Sequence, residues 1–207
     1  MEIYSNEHEQ VDALKHFFAR NGKVLAVGVI LGIGALVGWR YWSQHQDSAS
    51  RETSMAYQQV ASSLDASKPA SLDAAEKFVG DNQNTYGALT SLELAKRYVD
   101  NQQFDKAIAQ LQSGLQKTKD ANIQAVLNLR LARIQLQQKQ ADDALKTLDN
   151  IQATGWEAVV AELRGEALLS KGDTNGARDA WNKGATSDTA SPALKDMLHV
   201  KMNNLPG

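Results

Sequence analysis

An uncharged apolar stretch near the N-terminus constrains this chain more than any other feature. Residues 24–39 carry no charged side chain, and Lys23 and Arg40 bound them. A helix of this stretch is about 24 Å long, slightly shorter than a hydrocarbon core of about 30 Å. The side chains of Lys23 and Arg40 can extend to the membrane surface, and Trp39, Tyr41 and Trp42 suit the membrane–water interface. Together with local thinning of the bilayer, they make up the difference in length. Because a buried helix of a soluble domain rarely lacks a polar face, we predict a transmembrane helix over residues 23–42.

The positive charges beside this helix predict its orientation. Lys15, Arg20 and Lys23 precede it, whereas Arg40 and Arg51 follow it within a similar distance. Cytoplasmic flanks of membrane helices carry the excess of Lys and Arg, so we predict a cytoplasmic N-terminus and a translocated C-terminal domain. A signal peptide has a short basic leader and a cleavage site just after its apolar region. The leader here is long and acidic, so an uncleaved anchor is the better interpretation.

Small residues mark two faces of the predicted transmembrane helix. Gly28, Gly32 and Ala35 share one face, and Gly34 and Gly38 lie on another. Small residues at this spacing let a second membrane helix approach closely. Glycine is also simply common in membrane helices, which is the alternative explanation. These five positions are the candidate packing sites of the transmembrane helix.

The tail before the apolar stretch, residues 1–22, is predicted to contain a short amphipathic helix. Its apolar residues recur at helical spacing; they are Val11, Leu14, Phe17 and Phe18. Asn21-Gly22 is a typical helix C-cap, so we expect the helix to break there. The tail either lies on the inner membrane surface or docks a cytoplasmic partner. After the apolar stretch, residues 43–54 are polar and form either a linker or a helical extension.

An internal repeat organises the domain from residue 55 to residue 207. Its segments are amphipathic at helical spacing and none alternates like a strand, which predicts an all-α domain. Three alanines 37 and 33 residues apart recur in it, namely Ala107, Ala144 and Ala177. Each follows a small residue by twelve positions, namely Ala95, Ala132 and Gly165. Each precedes a large residue by four positions, namely Leu111, Leu148 and Trp181.

This pattern resembles the tetratricopeptide repeat, a helix–turn–helix of about 34 residues. Small residues let the two helices of a unit approach, and the large residue fills their junction. Stacked units of this kind form an α-solenoid whose ends need covering helices. The approximate units are 55–84, 88–121, 125–157 and 158–190, with an end helix over 192–203.

The chain shows no pattern that predicts catalysis or a metal site. It has no cysteine, and its four histidines, His8, His16, His45 and His199, lack a second ligand at metal-binding spacing. No phosphate-binding loop, nucleophile elbow or paired-carboxylate motif occurs. The formal net charge of −2 gives no reason to expect nucleic acid. We therefore predict a protein that is not an enzyme and binds no cofactor, metal ion, nucleic acid or small-molecule substrate.

The repeat resemblance implies a groove lined by the first helix of each unit. Carrying its positions over gives nine candidate partner-binding residues. They are Leu89, Leu92, Lys96, Val126, Leu129, Arg133, Val159, Glu162 and Glu166. Such a floor, with two bases and two acids, suits an amphipathic or extended partner segment. The alternative is that the leucines and valines are core between helices.

Several longer segments carry a closer resemblance. They are residues 4–7, 11–18, 21–32, 38–42, 85–89 and 163–173. Over the full length the chain resembles the enterobacterial YfgM family. That resemblance implies a single-pass protein of the bacterial inner membrane with a periplasmic repeat domain, acting as an ancillary subunit of the SecYEG translocon. It also implies association with the periplasmic chaperone PpiD, passage of newly translocated proteins to chaperones and possible contact with unfolded secretory proteins. The alternatives are envelope-stress signalling through the cytoplasmic tail and a general assembly scaffold for another envelope complex.

Overall fold

The computed structural model describes residues 3–65 and 67–205, and over these residues the chain forms helices and connecting turns without a strand. The helices are α1 (Ile3–Ser63), α2 (Pro69–Asp81), α3 (Thr85–Asp100), α4 (Phe104–Lys117), α5 (Ala121–Gln137), α6 (Ala141–Asp149), α7 (Glu157–Ser170), α8 (Thr174–Ala185) and α9 (Pro192–Asn203). This confirms the predicted all-α fold class. The chain divides into two compact units, Met1–Thr53 and Ser54–Gly207.

The first unit is a single helical segment. Helix α1 runs through Asn21 and Gly22 without interruption, so the predicted break there is wrong. A glycine in a helix costs about 1 kcal/mol relative to alanine, and continuous hydrogen bonding on both sides outweighs that cost once a helix is nucleated. The polar residues 43–54 are helical as well, which selects the helical extension over the linker.

The apolar part of α1 matches a membrane-spanning helix. By length and composition, Ala26–Ser43 is long and apolar enough to cross a membrane, and none of it is buried in the chain. Among the described residues, no neighbour lies within 4 Å of an added Cβ at Gly28, Gly32, Gly34 or Gly38. Ala35 is exposed too. Both small-residue faces are therefore uncovered, and their packing against another helix stays a prediction.

The tail part of α1 presents exposed apolar side chains. Val11 is 47% exposed, and Phe17 and Phe18 are 53% and 57% exposed. The two phenyl rings pack edge to face with their centroids 5.9 Å apart. The side chains of Leu14, His8, His16 and His45 lie outside the described residues, and so do the predictions made for them.

The second unit stacks helix pairs in the predicted order. Helices α3 and α4, α5 and α6, and α7 and α8 form three successive pairs, and α9 packs on α8. The end of α1 and α2 occupy the place of the earlier unit, where Val60, Leu64, Leu72 and Ala75 join the first core cluster. Asn84 and Asp120 cap α3 and α5 by accepting two backbone N–H groups each.

The repeat pattern corresponds to the closest contacts between paired helices. Ala107, Ala144 and Ala177 are fully buried. Gly165 shows why a small residue is needed in the first helix, because a Cβ there would stand 2.2 Å from Nε1 of Trp181. Trp181 fills that junction and donates from Nε1 to the Glu162 carbonyl at 2.9 Å. The packing reason inferred from the sequence therefore holds for this pair.

The turns inside the three pairs share one backbone feature. Each has a residue with positive φ five positions before the repeated alanine: Gln102 (59°), Lys139 (62°) and Gly172 (82°). Left-handed backbone is unfavourable for residues with a Cβ and free for glycine. The same turn thus occurs in all three units, but only the last unit has glycine, which adopts this left-handed backbone without strain.

Candidate partner-binding groove

The apolar residues predicted to line the groove are mostly part of the core. Leu92 and Leu129 are buried, with 7% and 5% of their surface exposed. Leu89 and Val126 are half-buried and pack on the first core cluster, and Val159 is half-buried on the second. For Leu92 and Leu129, the structure favours the alternative that they are core between helices.

Lys96 and Arg133 are brought together by the stacking of α3 on α5. Both are exposed, and both line one pocket of about 220 Å³ between these helices. The complete lining, called the basic pocket below, is Ala95, Lys96, Val99, Leu111, Arg130, Arg133, Ile134 and Gln137. Its floor is apolar, its only charged lining residues are cations, and no carboxylate lines it.

Arg130 is the lining cation that sequence reasoning missed. It precedes Arg133 by three residues on α5, and residues at that spacing share a helix face. Its guanidinium donates a hydrogen bond from Nη1 to the Leu92 carbonyl at 3.5 Å, so α3 positions it. In the described part of the chain, Lys96 and Arg133 have neither an ion-pair nor a hydrogen-bond partner. The pocket therefore holds positive charge that the chain itself does not neutralise.

Glu162 and Glu166 meet a cation from the end helix. Lys201 of α9 lies 3.0 Å from a Glu162 carboxylate oxygen and also pairs with Glu166. Its Nζ lies 5.8 Å from the Trp181 ring centroid, within cation–π range. Burial lowers the pKa of Lys201, but Glu166 and Glu162 together outweigh it, so the pKa is raised. Glu162, Glu166 and Lys201 are called the ion-pair cluster below, and a partner contact through the two acids stays a prediction.

The basic pocket and the ion-pair cluster are the two charged sites that the nine predicted residues form. The lining of the basic pocket contains no nucleophile or acid beside its cations. An apolar floor rimmed by charges of one sign is instead suited to seating a segment of another chain.

Comparison with known proteins extends over nearly the whole chain. Residues 15–207 match the family described as Tetratricopeptide repeat-like domain. A protein of Escherichia coli (strain K12) named "Ancillary SecYEG translocon subunit" is 61% identical over 99% of each chain. One of Haemophilus influenzae with the same name is 33% identical over 98% of this chain and 99% of its own.

A solved structure shares the fold at low sequence identity. It is titled "MamA RS-1 ArsTM double mutant" and superposes with a TM-score of 0.53, covering 74% of this chain and 85% of its own. At 13% identity, this likeness concerns the helical architecture alone. It agrees with the stacked helix pairs, and the family match over residues 15–207 confirms the predicted tetratricopeptide-like fold.

Proposed function

This chain belongs to the YfgM family of ancillary SecYEG translocon subunits, and from that premise we propose that it is a membrane-anchored scaffold of the SecYEG translocon. It carries a tetratricopeptide repeat-like domain over residues 15–207. The apolar helix Ala26–Ser43 holds it in the membrane. Its N-terminus lies in the cytoplasm and its repeat domain in the periplasm, in agreement with the distribution of Lys and Arg around the helix.

In this proposal the repeat domain holds a second partner on the outer side of the membrane. The partner is the periplasmic chaperone PpiD, as the YfgM resemblance implies, and the assembly helps to pass newly translocated proteins to chaperones. The observation that carries this step is the basic pocket. Lys96 and Arg133 stand unpaired over an apolar floor between α3 and α5, and such a surface suits a partner segment more than a role in folding.

Photo-crosslinking in intact membranes tests the proposal. A photoreactive residue at Gly28 reports on the apolar helix, and one at Arg133 reports on the basic pocket. We expect bands containing a translocon subunit from the first position and PpiD from the second, identified by mass spectrometry. A probe at Arg178, exposed on α8, is the matched control. Only self-crosslinks from Gly28, together with a silent Arg133, would contradict the scaffold.

Reversing the charge of the two unpaired cations is an independent test of the same proposal. The double variant Lys96→Glu/Arg133→Glu is expected to lower PpiD recovery on affinity purification and to keep translocon recovery. The control Lys119→Glu/Arg178→Glu changes the net charge equally, at exposed sites outside the pocket. Melting curves check that both variants fold. Equal PpiD recovery from both would contradict a role for the basic pocket.

A second candidate function is signalling through the tail. It is favoured by the exposed apolar side chains of Val11, Phe17 and Phe18 in the tail part of α1. Deleting residues 2–20 separates the two functions. Loss of an envelope-stress response with translocon recovery intact would support signalling. Loss of translocon recovery with a normal stress response would support the scaffold.

A further inference from the structure

We infer that α1 is an anchor that selects bilayer by thickness: it favours lipid whose hydrocarbon core is thinner than the average of about 30 Å. Its partner in this role is the lipid around the helix, and no other protein is needed. In a membrane of uneven thickness, the chain therefore collects where the hydrocarbon core is thin. This selection is separate from the proposed scaffold, which concerns the proteins that the chain holds together.

The uncharged part of α1 is short for a membrane span. Residues 24–39 carry no charge, and Lys23 and Arg40 flank them directly. At about 1.5 Å per residue this part is about 24 Å long, so it is about 6 Å shorter than an average hydrocarbon core. Both cations are exposed, and so is the described helix surface between them. Two charges therefore limit the length of helix that hydrocarbon covers.

The cytoplasmic end of this stretch supplies no further apolar helix. Before Lys23, α1 continues with Arg20, Asn21 and Gly22. A thicker bilayer would draw these residues or Arg40 toward hydrocarbon, where a charged side chain is costly. Long cationic side chains relieve part of that cost by extending to the interface. The remaining cost grows with the thickness of the hydrocarbon core.

Aromatic side chains mark the other end of the hydrocarbon core. Trp39, Tyr41 and Trp42 are all exposed, and the two indole rings pack with their centroids 5.6 Å apart. Indole and phenol rings favour the membrane–water interface, because one end of each ring system is apolar and the other is polar. These side chains therefore hold this part of α1 at the interface and oppose its movement into hydrocarbon.

The helix has no means of spanning a greater distance. It is continuous over Ile3–Ser63, and the sequence has proline only at positions 69, 192 and 206, so no proline kink lies in it. Tilting shortens the distance that a helix spans, which helps only a helix that is too long. A short helix is instead accommodated by thinning of the bilayer, by extension of its flanking side chains or by association. A bilayer that is already thin removes the cost of this adjustment.

Quenching by brominated lipids tests this selection on the full chain. The chain is reconstituted in fluid vesicles with equal parts of dimyristoleoyl and dierucoyl phosphatidylcholine, which have short and long acyl chains. The short-chain lipid is brominated in one sample and the long-chain lipid in the other. Bromine quenches only the indole rings that it contacts, so Trp39 and Trp42 report the lipid beside α1. Vesicles of each brominated lipid alone give the full quenching to which each mixture is scaled.

We expect the short-chain lipid to be enriched at least about threefold around α1, as a mismatch of several ångströms implies. Inserting Leu-Leu-Leu-Leu between Leu31 and Gly32 lengthens the uncharged stretch by about 6 Å and should remove the preference. The same four leucines inserted between Arg51 and Glu52, outside the uncharged stretch, are the matched control. This control should preserve the preference.

Arg40→Leu is a second variant that changes the same length without an insertion. It extends the apolar stretch from Trp39 to Trp42 and should reduce the enrichment of short-chain lipid by about half or more. Arg178→Leu, at an exposed position on α8, should leave the enrichment unchanged. If the chain with four added leucines is not recovered in vesicles, Arg40→Leu decides the result.

Equal scaled quenching in the two samples would overturn the inference, and so would enrichment of the long-chain lipid. A preference that remains in Arg40→Leu and after the insertion at Leu31 would also overturn it, because the distance between the charges would not be its cause. The vesicles contain no translocon, so the result is independent of the scaffold. A chain without lipid preference can still be a scaffold, and a chain that fails the crosslinking test can still select thin bilayer.

Discussion

The basic pocket and the ion-pair cluster are two versions of one position in the repeat. In the first, Lys96 and Arg133 of neighbouring first helices stand exposed, and no acid lines the pocket between them. In the second, Glu166 is joined to Lys201 of the end helix, and Glu162 shares the same cation. At this repeat position, the charge is paired at the end of the stack and is left unpaired in the two earlier units.

This difference follows from what a covering helix must do. A solenoid buries each unit only against its neighbours, so its last unit needs a helix that closes it. Helix α9 does this by burying Leu198 completely and by supplying Lys201. The interior pairs are already covered on both sides, and among the described ion pairs Lys96 and Arg133 do not take part. Free charge in the middle of the stack is thus available for another molecule.

The largest expected effect comes from filling the space beside Trp181. Gly165→Ala places a Cβ 2.2 Å from the indole Nε1, and overpacking of this kind costs about 1–3 kcal/mol. It also displaces the ring on which Lys201 lies. We expect the free energy of unfolding to fall by about 3 kcal/mol, measured by denaturant titration of the full chain.

Gly80→Ala is the matched control for that substitution. Gly80 lies near the end of α2 and its Cβ would meet nothing within 4 Å. Alanine is favoured over glycine in a helix by up to about 1 kcal/mol, so the control should be neutral or stabilising. A loss of similar size in both variants would show that Trp181 is not what requires a glycine at position 165.

Removing the cation of the ion-pair cluster has the next largest expected effect. The side chains of Lys201 and Glu162 are 24% and 13% exposed. Their ion pair is therefore intermediate in burial between a surface pair and a fully buried pair. Lys201→Met leaves two partly buried carboxylates without their cation, so we expect a loss of about 1–2 kcal/mol. Lys183→Met, at an exposed position on α8, should change stability little. Equal losses would mean that the cluster does not hold α9.

The pH dependence of the cluster has a definite sign. The pKa of Lys201 is raised above the ordinary value of 10.5 in the folded chain, so the folded state binds its proton more tightly than the unfolded state. The stabilising contribution is therefore fully present below pH 10.5 and is lost as the pH rises through the folded pKa. The stability difference between the native chain and Lys201→Met should stay constant near neutral pH and shrink above that value. A difference that shrinks already near neutral pH would contradict this assignment.

The stacking of the repeat domain was predictable because it depends on local spacing. A small residue is required wherever two paired helices approach, and that requirement recurs along the sequence as Ala95, Ala132 and Gly165. The apolar helix was predictable for the same reason, since its character is continuous in the chain. The break predicted at Asn21-Gly22 is wrong because the helix on both sides of this local stop signal continues through it.

The composition of the candidate site was only partly predictable. Lys96 and Arg133 follow from the repeat register, but Arg130 joins them only when α3 and α5 are packed. The partner of Glu162 and Glu166 lies 39 and 35 residues away on another helix. Sequence spacing shows which residues share a helix face, whereas the pairing of faces depends on how the helices stack. The sequence therefore predicts a partner contact for the two acids and does not predict their pairing with α9.

The smallest expected effect compares the turns of the middle and last units. Lys139 adopts a φ of 62°, where the last unit has Gly172 at 82°. A residue with a Cβ pays about 1 kcal/mol for left-handed backbone, although glycine loses more chain entropy on folding. We expect Lys139→Gly to raise the free energy of unfolding by about 0.5 kcal/mol. Lys119→Gly, in the exposed loop before α5 where φ is not positive, should not stabilise. If both variants lose stability alike, the strain inferred at Lys139 is absent.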